Sequence, residues 1–328
     1  MAKKAQRWSL ARVVISVLAL LPVLLLLLIV ANLVWSSLPA IQQAGLPVLF
    51  STKISNVFSG VYTPGEFGLL PALWGTVLLA GMTLGIAFPV SLAMAIFAAE
   101  FNLKGLGRVL EVLLGILVGI PPILYAVLSL TVLTAFVVPK FAANGLPEGI
   151  IRSLSGLPPY NPGTLPRETS TLLGGLMLSL LVIPFMAPLI LDAIRGVPHD
   201  LKEASLALGA TRWYTLMRVT LPSALPGIAM ALSLGTLKTI GDVVISAWTI
   251  GYIKNGLPQP LVDIFESVAP LTSTGAGLLN GLSGGAAVPP GPERGAAYFA
   301  ALLLLLIAFS ILVMSSLAQR YLQRRLAR

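Results

Sequence analysis

The chain has 328 residues, of which 56% are hydrophobic and 10% are charged, whereas a soluble domain carries roughly 25% charged residues. Its formal net charge is +9, from 21 Lys and Arg against 12 Asp and Glu. This composition excludes an ordinary soluble enzyme, a disordered chain and a disulfide scaffold, and it indicates a membrane protein. The absence of cysteine and the single histidine, His199, also exclude thiolate and multi-histidine metal sites.

Six apolar segments are long enough to cross a bilayer as helices. The first, Val13–Val34, reaches about 33 Å at 1.5 Å per residue, against a bilayer core of about 30 Å. A cleaved signal peptide is the alternative, but this run is long for one and a poor cleavage site follows it. Because lipid leaves an open chain no other backbone solution, we predict an all-α membrane protein. Its six transmembrane helices are expected near Arg12–Trp35, Leu69–Ala99, Val109–Val138, Thr171–Leu191, Ser223–Ile250 and Ala296–Leu317.

The basic residues are unevenly shared among the segments that these spans separate. Fourteen of the 21 lie in the N-terminal segment, the second and fourth connections and the C-terminal tail. Six lie in the other three connections, which are longer, and Lys238 falls within a span. Since cytoplasmic segments carry the excess of Lys and Arg, both termini are expected in the cytoplasm. We see no internal repeat, and therefore expect one transmembrane domain over residues 1–328, with a cytoplasmic loop over residues 192–222.

The predicted outer connection Gly251–Gly295 contains fifteen Gly or Pro residues. Its last part, Gly281–Gly295, carries few large apolar groups and is typical of a flexible segment. Two interpretations remain open for this connection. It is either a mobile surface loop or a lid or docking surface for a partner outside the cell.

The cytoplasmic loop between spans four and five encodes a short helix with both ends marked. We predict this helix over Leu201–Leu208, with Asp200 as N-cap and Glu203 completing a capping box. Gly209 stands where a C′ glycine ends a helix, and Thr211 is placed to cap a second one. The short helix is either a connector on the membrane surface or a helix presented to a groove in a cytoplasmic partner.

The same loop resembles the permeases of ATP-binding-cassette importers, which carry a Glu-Ala-Ala, three residues, Gly, nine residues, Ile-x-Leu-Pro motif here. In this chain Ser replaces the second Ala and Val219 replaces Ile. The motif positions that the resemblance assigns to ATPase coupling are Glu203, Ala204, Ser205, Gly209, Leu221 and Pro222. The resemblance implies a type I importer permease fold in which the short helix is the coupling helix and docks on an ATPase subunit. It also implies a second permease subunit, homologous or identical, and an outside solute-binding protein.

The chain has no Gly-x4-Gly-Lys-Ser/Thr phosphate cradle, so ATP is expected on a separate ATPase pair and no cofactor on this chain. A membrane-embedded enzyme is one alternative class, but no residue pattern resembles a nucleophile–base pair or a metal cluster. We therefore expect a transport subunit without catalytic residues. A second alternative is a secondary transporter coupled to an ion gradient, which needs no ATPase.

A longer set of motifs resembles the permeases of phosphate importers, from about Phe67 to Asp242. These motifs stand in the order Phe67–Thr76, Pro89, Ala95–Glu100, Gly119–Tyr125, Val197-Pro198 and Ala207–Trp213. The resemblance implies inorganic phosphate as the solute, imported across the plasma membrane by alternating access. Another oxyanion or small polar solute is the alternative.

The fifth span departs from the phosphate permeases, which show Arg-Ala-x-Gly-Glu-Thr where this chain reads Lys238 to Val243. The two charges keep their signs, but Lys is a point charge whereas Arg offers a planar fork to an oxyanion. Lys238 and Asp242 stand four residues apart, which predicts one shared helix face. They are either a self-neutralising ion pair or part of the solute pathway, where Thr239 and Ser246 would add hydroxyl groups.

Overall fold

The computed structural model describes residues 2–43, 45, 49–52, 68–100, 105–129, 131, 171–250, 268–275 and 292–326. Within these ranges the regular secondary structure is helical. A π-helical turn, Leu216–Thr220, joins the helix Arg212–Thr215 to the helix Leu221–Gly241. The helices are α1 (Ala2–Gln43), α2 (Leu70–Glu100), α3 (Leu106–Val118), α4 (Pro122–Leu128), α5 (Thr171–Arg195), α6 (His199–Ala207), α7 (Arg212–Thr215), α8 (Leu221–Gly241), α9 (Val244–Thr249) and α10 (Pro292–Leu326).

The predicted all-α membrane architecture is confirmed. Among the described residues, five helical segments are long and apolar enough to cross a membrane, and the bent pair α3–α4 makes six if it is counted as one span. The first helix continues well beyond the predicted Arg12–Trp35, since α1 runs unbroken to Gln43 and passes through two prolines. The five segments are Arg12–Gln43, Leu70–Glu100, Thr171–Arg195, Arg212–Gly241 and Arg294–Arg324.

The predicted third span, Val109–Val138, is sharply bent in its described part, because α3 and α4 meet at an angle of 92°. Pro121 and Pro122 stand at the bend, and Pro121 has the extended ψ of 139° that a residue before proline favours. The hydroxyl of Tyr125 donates a 3.1 Å hydrogen bond across the bend to the carbonyl of Leu117. The predicted residues 132–138 lie outside the described part of the chain.

The predicted fifth span, Ser223–Ile250, is also not one continuous helix. The helix α8 ends at Gly241, Asp242 adopts an extended conformation with ψ 112°, and the short helix α9 follows. In the other direction, α8 is joined through the π turn to α7, so the helical segment begins at Arg212 rather than Ser223. The break lies next to the two charged residues of this span.

The helix α5 lies at the centre of the bundle and packs against α2 and α8. Small residues permit these contacts: a Cβ added at Gly175 would lie 3.1 Å from the Cβ of Met82, and one at Gly235 would lie 2.8 Å from Met186 Sδ. Close approach through small residues is the usual packing of helices in membranes. The contact between α2 and α5 is therefore tight.

Three buried clusters fill the bundle from one end to the other. The first includes Ala98, Ile194, Val197 and Ala224 and lies at the end that carries α6, which we call the α6 end. A middle cluster includes Leu79, Leu178 and Ile245. The third, at the far end, joins the last turn of α1 and the first turns of α2 and α10 to residues 268–275; its members include Ala40, Ala72, Leu271 and Ala296.

Candidate functional site

The start of α6 differs from the predicted capping box. The helix begins at His199, directly after Pro198, and no side chain caps it, so Asp200 lies inside the first turn instead of preceding it. The ring of Pro198 fixes its φ at −53°, and Pro198 is the N-cap residue of α6, a role that the sequence pattern assigned to Asp200. Glu203 pairs instead with His199 one turn earlier, at 3.4 Å between the carboxylate Oε1 and Nδ1.

The end of α6 follows the prediction. Gly209 has φ +85°, the left-handed conformation that glycine adopts without strain. Its N–H donates to the Leu206 carbonyl at 2.9 Å, and the N–H of Ala210 donates to the Ser205 carbonyl at 3.2 Å. This pair of hydrogen bonds is the Schellman motif. Thr211 then caps α7 as predicted, since its hydroxyl accepts a 3.2 Å hydrogen bond from the N–H of Tyr214.

The side of α6 that faces the chain is polar. Lys202 and Ser205 are its only half-buried side chains, and every other residue of this helix is exposed. Because they stand three residues apart, the two lie on one face of the helix. The ammonium of Lys202 contacts the Glu100 carboxylate at 2.6 Å, and the Ser205 hydroxyl lies 2.9 Å from the Thr215 hydroxyl.

The opposite side of α6 exposes two carboxylates and two small side chains. At about 100° per residue, Asp200, Glu203, Ala204 and Ala207 point away from the face of Lys202 and Ser205, and all four are exposed. We call these four residues the outer face of α6. Large apolar side chains surround it: Leu208 is 89% exposed and Trp213 is 59% exposed. An apolar patch of this kind, rimmed by polar groups, is typical of a surface that another protein covers.

The six residues predicted to couple to an ATPase therefore divide into two sets. Glu203, Ala204 and Gly209 are exposed, whereas Ser205, Leu221 and Pro222 are half-buried against their own chain. Leu221 packs on the buried cluster at the α6 end. The ring of Pro222 has no N–H for the carbonyl four residues earlier, and the helix widens into the π turn just before it. This second set shapes the helix that leads from α6 into the bundle.

The second predicted site lies at the break between α8 and α9. Lys238 is half-buried in the last turn of α8, and Asp242 is 7% exposed beyond the end of that helix. The carboxylate Oδ1 of Asp242 accepts a 2.8 Å hydrogen bond from the N–H of Ile245, which caps α9. Asp242 therefore stands at the end of α8 rather than within it, one turn after Lys238. They are not among the ion pairs within 4.0 Å that the described residues form.

The hydroxyl groups predicted near these charges are engaged by nearby backbone. The Thr239 hydroxyl donates to the Gly235 carbonyl at 2.9 Å, within α8. The Ser246 hydroxyl donates to the Asp242 carbonyl at 2.7 Å and also lies 3.4 Å from the hydroxyl of Thr272. Ser246 thus connects the break to the segment 268–275.

The segment 268–275 is buried, although it falls within the connection that the sequence describes as a mobile loop or a docking surface. The N–H of Leu271 donates to the Thr76 hydroxyl at 2.9 Å, and that of Val268 donates to the Thr171 hydroxyl at 3.1 Å. A Cβ at Gly75 would lie 2.7 Å from two carbonyl oxygens of this segment. Neither interpretation predicts this packing, and no local pattern signals it. Residues 276–291, which include most of Gly281–Gly295, lie outside the described part.

Comparison with known proteins places this arrangement in a family. Residues 91–328 match the family of binding-protein-dependent transport system inner membrane components. The phosphate transport system permease protein PstC of Haemophilus influenzae is 30% identical over 271 residues, which cover 80% of this chain and 82% of that protein. The probable ABC transporter permease protein YqgH of Bacillus subtilis is 29% identical over 217 residues, or 66% of this chain and 62% of that protein.

Solved structures share the fold. A bacterial ABC transporter that imports the acidic polysaccharide alginate matches with a TM-score of 0.52 and 20% identity, covering 77% of this chain and 79% of that one. An inward-facing MetNI methionine ABC transporter matches with a TM-score of 0.50 and 18% identity, covering 78% and 94%. The chain therefore belongs to the binding-protein-dependent transport system inner membrane components: it is the multi-pass, non-catalytic permease subunit of an ABC importer, which works with ATPase subunits and a solute-binding protein.

Proposed function

We propose that this permease imports inorganic phosphate. The observation that carries the proposal is the similarity to a permease named for phosphate transport over four fifths of both chains. A second relative of the same description, the probable phosphate transport system permease protein PstC of Methanocaldococcus jannaschii, is 29% identical over 70% of both chains. An importer for another oxyanion or small polar solute is the alternative, because the Arg and Glu typical of phosphate permeases are Lys238 and Asp242 here.

The mechanism that we propose is alternating access. A solute-binding protein delivers phosphate to the far end of the bundle, and ATP closes a pair of cytoplasmic ATPase subunits against the α6 end. The outer face of α6, with small side chains at Ala204 and Ala207, lets an ATPase cleft approach the helix backbone closely. The movement of α6 then reaches α8 through α7 and the π turn. A second permease subunit, homologous or identical, supplies the other α6 of the pair.

Lys238 is the residue that we propose to meet the anion. An ionisable group at membrane depth costs roughly 2.5–3.5 kcal/mol on insertion scales, so such a group is expected to face a wet pathway or a partner. Lys238 stands one turn before the break between α8 and α9, and its ammonium is within 4.0 Å of no carboxylate in the described residues. Broken helices of this kind line solute sites in other transporters. Asp242, Thr239 and Ser246 act beside it by fixing the backbone at the break.

Competition for uptake tests the solute. We expect radiolabelled phosphate to enter proteoliposomes that hold the complete importer, and unlabelled sulfate, molybdate and amino acids to compete poorly. Replacement of Lys238 by Gln is expected to lower phosphate uptake at least about tenfold, whereas Lys238→Arg, which keeps the charge, retains more of it. If phosphate neither enters nor competes with the solute that does, the phosphate assignment fails while the importer family stands.

Co-purification tests the role of α6. We expect a stoichiometric ATPase partner to remain bound to the permease in detergent and to be lost on Glu203→Ala, since Glu203 is exposed on the outer face. Gln323→Ala, at an exposed position on α10, is the matched control and is expected to retain the partner. Full retention of the ATPase by Glu203→Ala and by Ala204→Trp would contradict docking through this face.

A further inference from the structure

Among the described residues, the helix α6 makes side-chain hydrogen bonds to other elements of the permease through two of its residues. Lys202 and Ser205 are half-buried, and the remaining residues from His199 to Ala207 are exposed. Nine residues are too few to make a stable helix in water on their own. The orientation of α6 therefore depends on its two ends and on these two side chains.

The two side chains attach α6 to different helices. The Ser205 hydroxyl meets Thr215 in α7, which follows α6 directly along the chain. The Lys202 ammonium meets the carboxylate of Glu100, the last residue of α2, at 2.6 Å and 102 positions away in sequence. Their side chains are 17% and 27% exposed, so this ion pair is partly shielded from water. A charge-assisted hydrogen bond of this length is among the stronger polar contacts in proteins.

The helix α2 in turn packs against α5 at the centre of the bundle. Along the contact with α5, a Cβ at Gly175 would lie 3.1 Å from Met82, and the Ser91 hydroxyl donates a 3.4 Å hydrogen bond to the Ile183 carbonyl. Displacement of the end of α2 is thus transmitted to α5 by packing. The ion pair gives α6 a connection to the membrane helices that does not pass along the covalent chain.

We propose that Lys202 and Glu100 are positioning residues that make α6 and the end of α2 move as one body when ATPase subunits close. This inference rests on the proposed role of α6 in docking the ATPase. Without the ion pair, α6 still presents its outer face, but its movement reaches the bundle only through its own flanking segments. The expected defect is ATP hydrolysis without matching solute uptake, not loss of the ATPase.

A second ion pair supplies the matched control. Arg195, at the end of α5, contacts Glu111 in α3 at the same distance of 2.6 Å. Their side chains are more exposed, at 46% and 36%, and neither residue belongs to α6. Reversal of these charges perturbs the same end of the bundle and leaves Lys202, Ser205 and their partners unaltered.

The test measures solute taken up per ATP hydrolysed by the complete importer in proteoliposomes. We expect Lys202→Glu and Glu100→Lys each to lower this ratio about fivefold or more, and the double reversal Lys202→Glu/Glu100→Lys to restore it to within about twofold. Lys202→Gln, which removes one charge without reversing it, is expected to give an intermediate ratio. Arg195→Glu and Glu111→Arg are expected to leave the ratio unchanged, even if they change the rates of solute uptake and ATP hydrolysis in parallel.

Co-purification of the ATPase separates the two proposals. If the unaltered permease retains no ATPase, the docking role of α6 fails before the ion pair is tested. If the ATPase is retained, a wild-type ratio in both single reversals overturns the positioning role, and so does a double reversal that is not restored. Loss of the ATPase from the single reversals overturns it as well, because the pair would then serve docking and not transmission.

Discussion

At the scale of single residues, the motif around α6 combines two tasks. The Ser205 hydroxyl, 2.9 Å from that of Thr215, lies on the side of α6 that faces the chain, so a serine at this position is compatible with docking on the opposite side. Glu203 and Ala204 lie on the outer face. The departure from Glu-Ala-Ala to Glu-Ala-Ser thus leaves the proposed docking surface unchanged and places a hydroxyl contact between α6 and α7.

The local chemistry of glycine and threonine was sufficient to predict the end of α6. Gly209 is left-handed and Thr211 is a cap because each position has a backbone requirement that only a few residue types meet. The N-cap prediction at Asp200 failed because Pro198, two positions earlier, occupies the N-cap and the helix already begins at His199. Pro198 and Asp200 both favour a helix start, and the sequence pattern alone did not indicate which of the two would begin α6.

Replacement of Gly209 by Ala tests the left-handed turn. Nothing lies within 4 Å of an added Cβ, so the whole effect is backbone strain of about 1–2 kcal/mol at φ +85°. We expect faster amide hydrogen exchange in α6 and weaker retention of the ATPase. The control is Gly81→Ala in α2, where the added Cβ also meets nothing within 4 Å and φ is not positive. Equal exchange in the two variants would contradict the strain.

At the scale of helices, hydropathy predicted the long apolar segments but not where they break. Apolar residues continue through the bend at Pro121 and through the break at Asp242, so hydropathy alone reports one span in each place. The bend and the break depend on backbone hydrogen bonds that Pro or an extended Asp removes or redirects. The packing of residues 268–275 against α2 and α5 is a contact between distant parts of the chain, which no window of sequence contains.

The contact between α2 and residues 268–275 can be tested by two threonine replacements in the same helix. The Thr76 hydroxyl donates to the Ala72 carbonyl and accepts from the N–H of Leu271, whereas the buried Thr83 hydroxyl has no hydrogen-bond partner among the described residues. We expect Thr76→Val to cost about 1–3 kcal/mol because it leaves a buried N–H unpaired. Thr83→Val is expected to be neutral or stabilising.

The measurement is the unfolding temperature of the purified permease in detergent. Both replacements keep the shape of the side chain and exchange a hydroxyl for a methyl group. The two variants therefore differ mainly in the hydrogen bonds that are lost. A lower unfolding temperature for Thr76→Val than for Thr83→Val is the expected order. The reverse order would show that Thr76 does not hold the segment.

At the scale of the whole molecule, the predicted orientation accounts for most of the basic excess of +9. Fourteen of the 21 Lys and Arg lie in segments predicted to face the cytoplasm, and Lys202, which holds α6, is one of them. The family and the architecture followed from motifs and composition. Motifs and composition do not determine the identity of the solute in the same way. In our proposal, solute recognition depends on a few side chains at the break between α8 and α9.

The predicted orientation can be tested by labelling, since the chain has no cysteine of its own. We expect Ser283→Cys, in the connection before the last span, to react with a membrane-impermeant maleimide in intact spheroplasts. Ala207→Cys, on the outer face of α6, is expected to react only after lysis. The unaltered chain is the control and should take up no label. Labelling of Ala207→Cys in intact spheroplasts would contradict cytoplasmic termini.

The most direct test of the central claim is phosphate accumulation in proteoliposomes with and without the ATPase subunits. The complete importer, supplied with the solute-binding protein outside and ATP on the α6 side, is predicted to concentrate radiolabelled phosphate in the absence of any ion gradient. Omission of ATP or of the ATPase subunits is predicted to abolish this accumulation. Concentration of phosphate by the purified chain alone, driven by an ion gradient, would contradict the account.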